Sequence, residues 1–204
     1  EITSSRNYGS DEVLEIQKYY AGNTVKGVSR ALVQFDLTAV SASIVSGDIP
    51  SNAKYYLRLY STEASELPAS YNISGYAISQ SWEEGTGKFN SKPEITDGVT
   101  WAHSDYRNTN LSWSLNSKSI SGSRPGHSIF TNGGGSFYTG SGFEATQSFS
   151  YESPDIRMDI TDTVGKWITG SNSTFASGDW PSIYNYGMIV KLSGSIESTG
   201  STDR

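Results

Sequence analysis

Ala53-Lys54-Tyr55-Tyr56-Leu57-Arg58-Leu59-Tyr60-Ser61 alternates without a break. Tyr55, Leu57 and Leu59 share one face, and Tyr56, Arg58 and Tyr60 share the other. A period of two over that length predicts a half-buried strand. The same alternation extends to both sides. Upstream, Asp11 to Tyr20 sets Leu14, Ile16 and Tyr20 against Val13, Glu15, Gln17 and Tyr19, and Ser29 to Leu37 sets Ala31, Val33 and Phe35 against Leu32, Gln34 and Asp36. Thr38 to Ser51 reads as a connector, with a turn at Gly47-Asp48. Downstream, Ile73 to Trp82 is the next strand, with Gly75 as a bulge position. Asp155 to Ile160 and Tyr186 to Leu192 complete the set.

Thr161 to Gly170 breaks the pattern. Thr161 is a candidate N-cap, Asp162 suits a first turn, and Val164, Trp167 and Ile168 form an i, i+3, i+4 stripe that Gly170 ends. Asp159 and Asp162 are read as helix-entry residues. This is the one short helix expected. From Gly85 to Tyr151 periodicity fades into Gly/Ser/Asn-rich loops, and residues 118–149 are read as a long loop insertion. Gly194 to Arg204 is polar and carries no strand pattern. The expectation is a single domain over 1–204 that is a fragment of a longer chain.

The chain has 204 residues, no Cys and a net charge of −6. That length suits one all-β domain with its own core. Without Cys there is no disulfide, thiol nucleophile or thiolate-bound metal. The acidic balance speaks against a bulk nucleic-acid or anionic-membrane binder. No apolar run approaches the ~20 residues of a membrane span.

Ser81-Trp82-Glu83-Glu84-Gly85-Thr86-Gly87 marks where strands give way to loops. Glu83 and Glu84 are a candidate carboxylate pair, but neighbours at a strand end point apart, and the plainer reading is a solvated turn. His103 and His127 are the only histidines; neither sits in a nucleophile elbow or an H-x-x-x-H spacing. The chain is therefore read as a non-enzyme. Glu152, Asp155, Asp159 and Asp162 are oxygen donors for a calcium ion, but no Asp-x-Asp-x-Asp-Gly loop organises them, and no metal or cofactor is expected.

The aromatics carry the binding expectation. Tyr19, Tyr20, Tyr56 and Tyr60 would form an outward aromatic face for a sugar ring or a neighbouring subunit, or else simple cross-strand pairs. Trp101, Trp113 and Trp180 lie in loops as candidate contact residues or loop anchors; Trp82 and Trp167 are read as core.

The order of these elements resembles the DNRLRE-type β-sandwich modules. The resemblance runs through Ser29–Leu37, Ala53–Leu59, Ser81–Gly85, Gly98-Val99-Thr100-Trp101, Asp159-Ile160-Thr161 with Val164 and Trp167, and Asn185–Val190. It implies an all-β, jelly-roll-like sandwich. Among such modules are alginate-type carbohydrate-binding modules and virion structural proteins of marine and cyanobacterial tailed myophages. The second group is similar in its Ser-Trp-Glu-Glu-Gly-Thr-Gly turn and its Asp97–Trp101 segment. The resemblance implies a virion subunit of the neck, tail or an appendage, with other virion proteins or copies of itself as partners. The alternative is an extracellular carbohydrate-binding module that takes a surface glycan. Calcium enters mostly through the family analogy.

Overall fold

The computed structural model describes residues 5–21, 24–62, 67–107, 111–113, 128–131, 133–150, 155–171 and 183–198. Twelve strands and three helices form among them. The first group is β1 (Lys18–Ala21), β2 (Thr24–Val28), β3 (Ala31–Val33), α1 (Thr38–Ser46), β4 (Tyr56–Leu59) and β5 (Ser70–Ala77). Next come β6 (His103–Asp105), β7 (Leu111–Ser112), β8 (Ser128–Thr131), β9 (Ser136–Thr139) and β10 (Glu144–Ser150). The last are β11 (Ile156–Asp159), α2 (Thr161–Ser171), β12 (Met188–Leu192) and α3 (Gly194–Ser198).

The centre is a four-stranded antiparallel sheet in the order β10-β5-β12-β3. β12 runs through its middle with Met188 to Lys191 buried in succession, so this sheet is covered on both faces. Met188 and Val190 enter one core with Leu57, Met158, Phe143, Val164 and Trp167. Ile189 enters a second core with Ile78, Trp113 and Phe137, against which Trp82, Tyr76 and Val99 pack. A two-stranded ribbon, β4 paired with β11, and the helix α2 roof the first core. The architecture is the all-β sandwich the alternation implied.

Several local expectations need correction. Thr38 to Ser46 is helical rather than a connector. Asp36 Oδ1 accepts from the Thr38 N–H at 2.9 Å, and Gly47, at φ 84°, closes the helix by donating its N–H to Ile44 O. Residues 11–17 form no strand; Val13 and Leu14 are exposed, while the Asp11 carboxylate accepts from Phe89 N–H. Gly75 is no bulge, because β5 and β10 pair without a register shift. A Cβ there would sit 3.0 Å from Met188 Cε, so the end of that side chain would have to shift, and in ordinary contact with Met158 Sδ. Residues 128–149 of the expected loop insertion hold β8, β9 and β10, and β10 makes a full seven-residue ladder with β5. Gly194–Ser198 is a helix, so the chain has three helices among the described residues rather than one.

Candidate functional site

The outer face of the β4–β11 ribbon gathers the exposed side chains of greatest chemical interest. Leu57 and Met158 turn inward and are 1% and 2% exposed. Alternation therefore turns Tyr56, Arg58, Arg157 and Asp159 outward. In the ladder Tyr56 pairs with Asp159, and Arg58 pairs with Arg157. The Arg157 guanidinium lies 3.9 Å from the Tyr56 ring centroid, close cation–π stacking. Tyr60 continues the row beyond the ladder and is 70% exposed. Ser61 N–H donates to Asp155 Oδ1 at 3.1 Å and closes that end.

At its other end the face runs into a polar pocket of about 490 Å³. Lys54, Glu144, Asp159, Thr161 and Asp162 line it, with Ser141 and Gly142 of the turn between β9 and β10 as a wall. The Thr161 hydroxyl and then its N–H hold the Asp159 carboxyl below the usual aspartate range, and the N–H contact is 2.9 Å. The Thr161 hydroxyl itself accepts from Tyr55 N–H at 3.0 Å, tying the start of β4 to the start of α2. The role expected for Thr161 as a cap thus falls to Asp159.

The other expected contact residues disperse. Tyr19 and Tyr20 sit on the β1–β2 hairpin, a different sheet from that of Tyr56, and Tyr60 lies just beyond the end of β4. Tyr19 is 46% exposed, and the Lys18 ammonium lies 5.4 Å from the Tyr20 ring. Trp113 is not a surface residue. It is 1% exposed in the second core and donates its indole N–H to Thr100 O at 3.0 Å. Trp101 is half-buried as a loop anchor: Arg30 stacks at 4.7 Å on its ring, and Gly134 N–H donates to its carbonyl. Trp180 lies outside the described residues. Trp82 packs on the second core and donates to Tyr186 O at 2.8 Å; Trp167 is 1% exposed in the first.

His103 meets the Tyr106 ring edge-on at 5.0 Å, and His127 lies outside the described residues. Glu83 and Glu84 are both exposed, and Glu83 lies 3.5 Å from Arg107. Glu152 is outside the described residues, and among those described no group of three or more His, Cys, Asp or Glu could hold a metal ion.

Sequence reasoning missed two buried polar residue sets. Asn7 is 1% exposed. Its Nδ2 donates to Glu84 O and Val99 O, both at 2.8 Å, and its Oδ1 accepts from Gly9 N–H at 3.0 Å and Gly87 N–H at 2.9 Å. All four hydrogen-bonding positions of the amide are used. The Glu-Glu-Gly-Thr-Gly turn is thus built around Asn7, and a Cβ at Gly85 or Gly87 would overlap it. The second set is Arg30, Glu197 and Lys191. Arg30 holds the Glu197 carboxylate with two bonds of 3.0 and 2.8 Å, and Lys191 reaches the same carboxylate at 2.9 Å. An isolated Asn near a chain start and a Glu in a polar tail carry no periodic signal that would single them out.

A larger cleft of about 900 Å³ lies between α1 and the end of α2, bordered by Phe35, Leu37, Val45, Trp167 and Ile168. It is mostly apolar, with Asp36 as its one charged lining residue and no cationic group like the arginines of the β4–β11 face.

No curated protein and no solved structure matches the chain. Residues 1–118 match the sequence profile of carbohydrate-binding module family 96. That span is more than half of the 204 residues and contains β1 to β7, with Tyr56, Arg58 and Tyr60. The chain belongs to carbohydrate-binding module family 96.

Proposed function

We propose that this module binds an acidic polysaccharide, outside a cell or on its surface, along the outer face of the β4–β11 ribbon. The observation that carries the reading is the Arg58–Arg157 pair, set directly opposite across the ladder beside exposed tyrosines. Like charges in that position cost stability, and an anionic group between them would relieve the cost. A guanidinium matches a sugar carboxylate or sulfate with two parallel N–H donors. Arg157 is already aligned by the Tyr56 ring, so little side-chain freedom is lost on binding. Tyr60 offers an open ring for the apolar C–H side of a pyranose. The pocket at Lys54, Asp159 and Asp162 offers donors and acceptors for sugar hydroxyls.

The net charge of −6 makes recognition local rather than a bulk attraction to polyanions. The family match supports the glycan-binding side of the resemblance. Nothing in the fold or the match speaks for a virion subunit. Titration calorimetry with soluble polygalacturonate, a sulfated galactan and a neutral β-glucan tests the proposal. Binding to an acidic polymer with no response to the neutral one is expected; equal binding to the neutral glucan would overturn it.

A further inference from the structure

We infer that Gln147 is a positioning residue for the glycan-binding face, acting through Arg157; the inference rests on the acidic-polysaccharide reading above. Among the described residues the central sheet ends at β10, and β11 pairs with β4 rather than with β10. The gap between β10 and β11 is spanned by the Gln147 carboxamide. Its Oε1 accepts from Arg157 N–H at 2.7 Å, and its Nε2 donates to Asp155 O at 3.2 Å. Those two groups flank Ile156, whose side chain packs against the first core. The carboxamide therefore does for β11 what the next strand's peptide group would do in a continuous sheet: one donor and one acceptor, at the spacing of residues i and i+2.

A two-stranded ribbon is marginally stable by itself. This one is fixed from beneath by Leu57 and Met158 and along its edge by Gln147. The edge contact falls on the backbone of the residue whose guanidinium covers Tyr56. Register and rotation of β11 at Arg157 therefore depend on residue 147. The residue type also fits the chemistry. Glutamate would lose the donor and set a carboxylate beside Arg157, in competition with the ligand's anion. Methionine would match the length and lose both bonds.

The test is a double-mutant cycle on the full chain, with oligogalacturonate as probe, read by calorimetry at two salt concentrations. Gln147→Met and Arg157→Ala are each expected to weaken binding about tenfold. The double variant should bind no more weakly than Arg157→Ala alone, and Gln147→Met should show the reduced salt dependence of Arg157→Ala. A merely structural loss would leave that salt dependence unchanged. Gln147→Glu keeps the acceptor for Arg157 N–H, and serves if the Met variant does not fold; it should weaken binding at least as much. Wild-type affinity in Gln147→Met or Gln147→Glu, or a Met loss that adds in full to that of Arg157→Ala, would overturn the inference. If instead Arg157→Ala itself leaves binding intact, it is the functional reading that fails.

Discussion

Arg58 and Arg157 face each other directly across the β4–β11 ladder, and both are exposed. A cross-strand pair of like charges costs roughly 0.5 kcal/mol. Arg58→Ala is expected to raise the thermal unfolding midpoint slightly at low ionic strength. The gain should vanish near 1 M salt, where the screening length is about 3 Å. The same variant should bind acidic glycan more weakly, so stability and affinity move in opposite directions. Thermal melts at two salt concentrations check the first half.

Tyr60 and Trp113 separate surface from core. Tyr60 is 70% exposed and Trp113 is 1% exposed. Tyr60→Ala is expected to leave the unfolding midpoint unchanged and to weaken glycan binding. Trp113→Ala should cost about 3–5 kcal/mol through lost packing and a Thr100 carbonyl left without its donor. Its remaining folded fraction should bind with native affinity. Denaturant unfolding beside calorimetry distinguishes the two.

Asn7 satisfies two carbonyls and two N–H groups at a buried site. Asn7→Ala is expected to destabilise by about 3 kcal/mol, because those groups lose their partners without gaining water. Asn7→Asp keeps the acceptor and loses both donors, so it should be no milder. Urea denaturation gives the numbers. Amide exchange should quicken at Gly87, whose N–H bonds to Asn7.

The strands that read best from sequence were those whose inward positions are large and apolar. In β4 and β11, Leu57, Met158 and Ile156 make the period of two visible. β10 has an equally regular pattern in space: Glu144, Thr146, Ser148 and Ser150 point out while Ala145, Gln147 and Phe149 point in. Only Phe149 among the inward residues is strongly apolar, so the alternation does not show in the sequence. α1 hid for a related reason. It buries no residue fully: its stripe of Leu37, Val40 and Ile44 is only partly buried, and its start is held by Asp36, one residue ahead of the N-cap Leu37, so the signals were weak and displaced. Tyr56, Arg58 and Tyr60 were legible as one outward face, but Arg157 and Gln147 join them only through pairing across about a hundred residues of chain. No local pattern encodes that.

Lys191 and Arg30 share one buried carboxylate, Glu197. Glu197→Gln should destabilise by about 3 kcal/mol or more, since two cations lose their partner. Burial holds the Lys191 ammonium below the ordinary lysine range, a shift that Glu197 only partly offsets. Between that lowered value and the ordinary one, the unfolded chain keeps a proton that the folded chain has released. Stability contributed by this group therefore rises with pH across that window. Lys191→Met should remove the rise. Half-buried Tyr76 and Tyr138, whose hydroxyls are raised by burial, act in the opposite sense at higher pH, so the quantity to compare is the difference between variant and wild type in alkaline melts.

Affinity electrophoresis through gels containing polygalacturonate, run side by side with wild type and Arg58→Ala/Arg157→Ala, addresses the β4–β11 face most directly. Wild type should be retarded in proportion to polymer content and should migrate normally in gels of neutral glucan. The double variant should lose the retardation while melting at or near the wild-type temperature. Equal retardation of the two proteins, or retardation of wild type by the neutral glucan alone, would contradict the assignment of this face to an acidic polysaccharide.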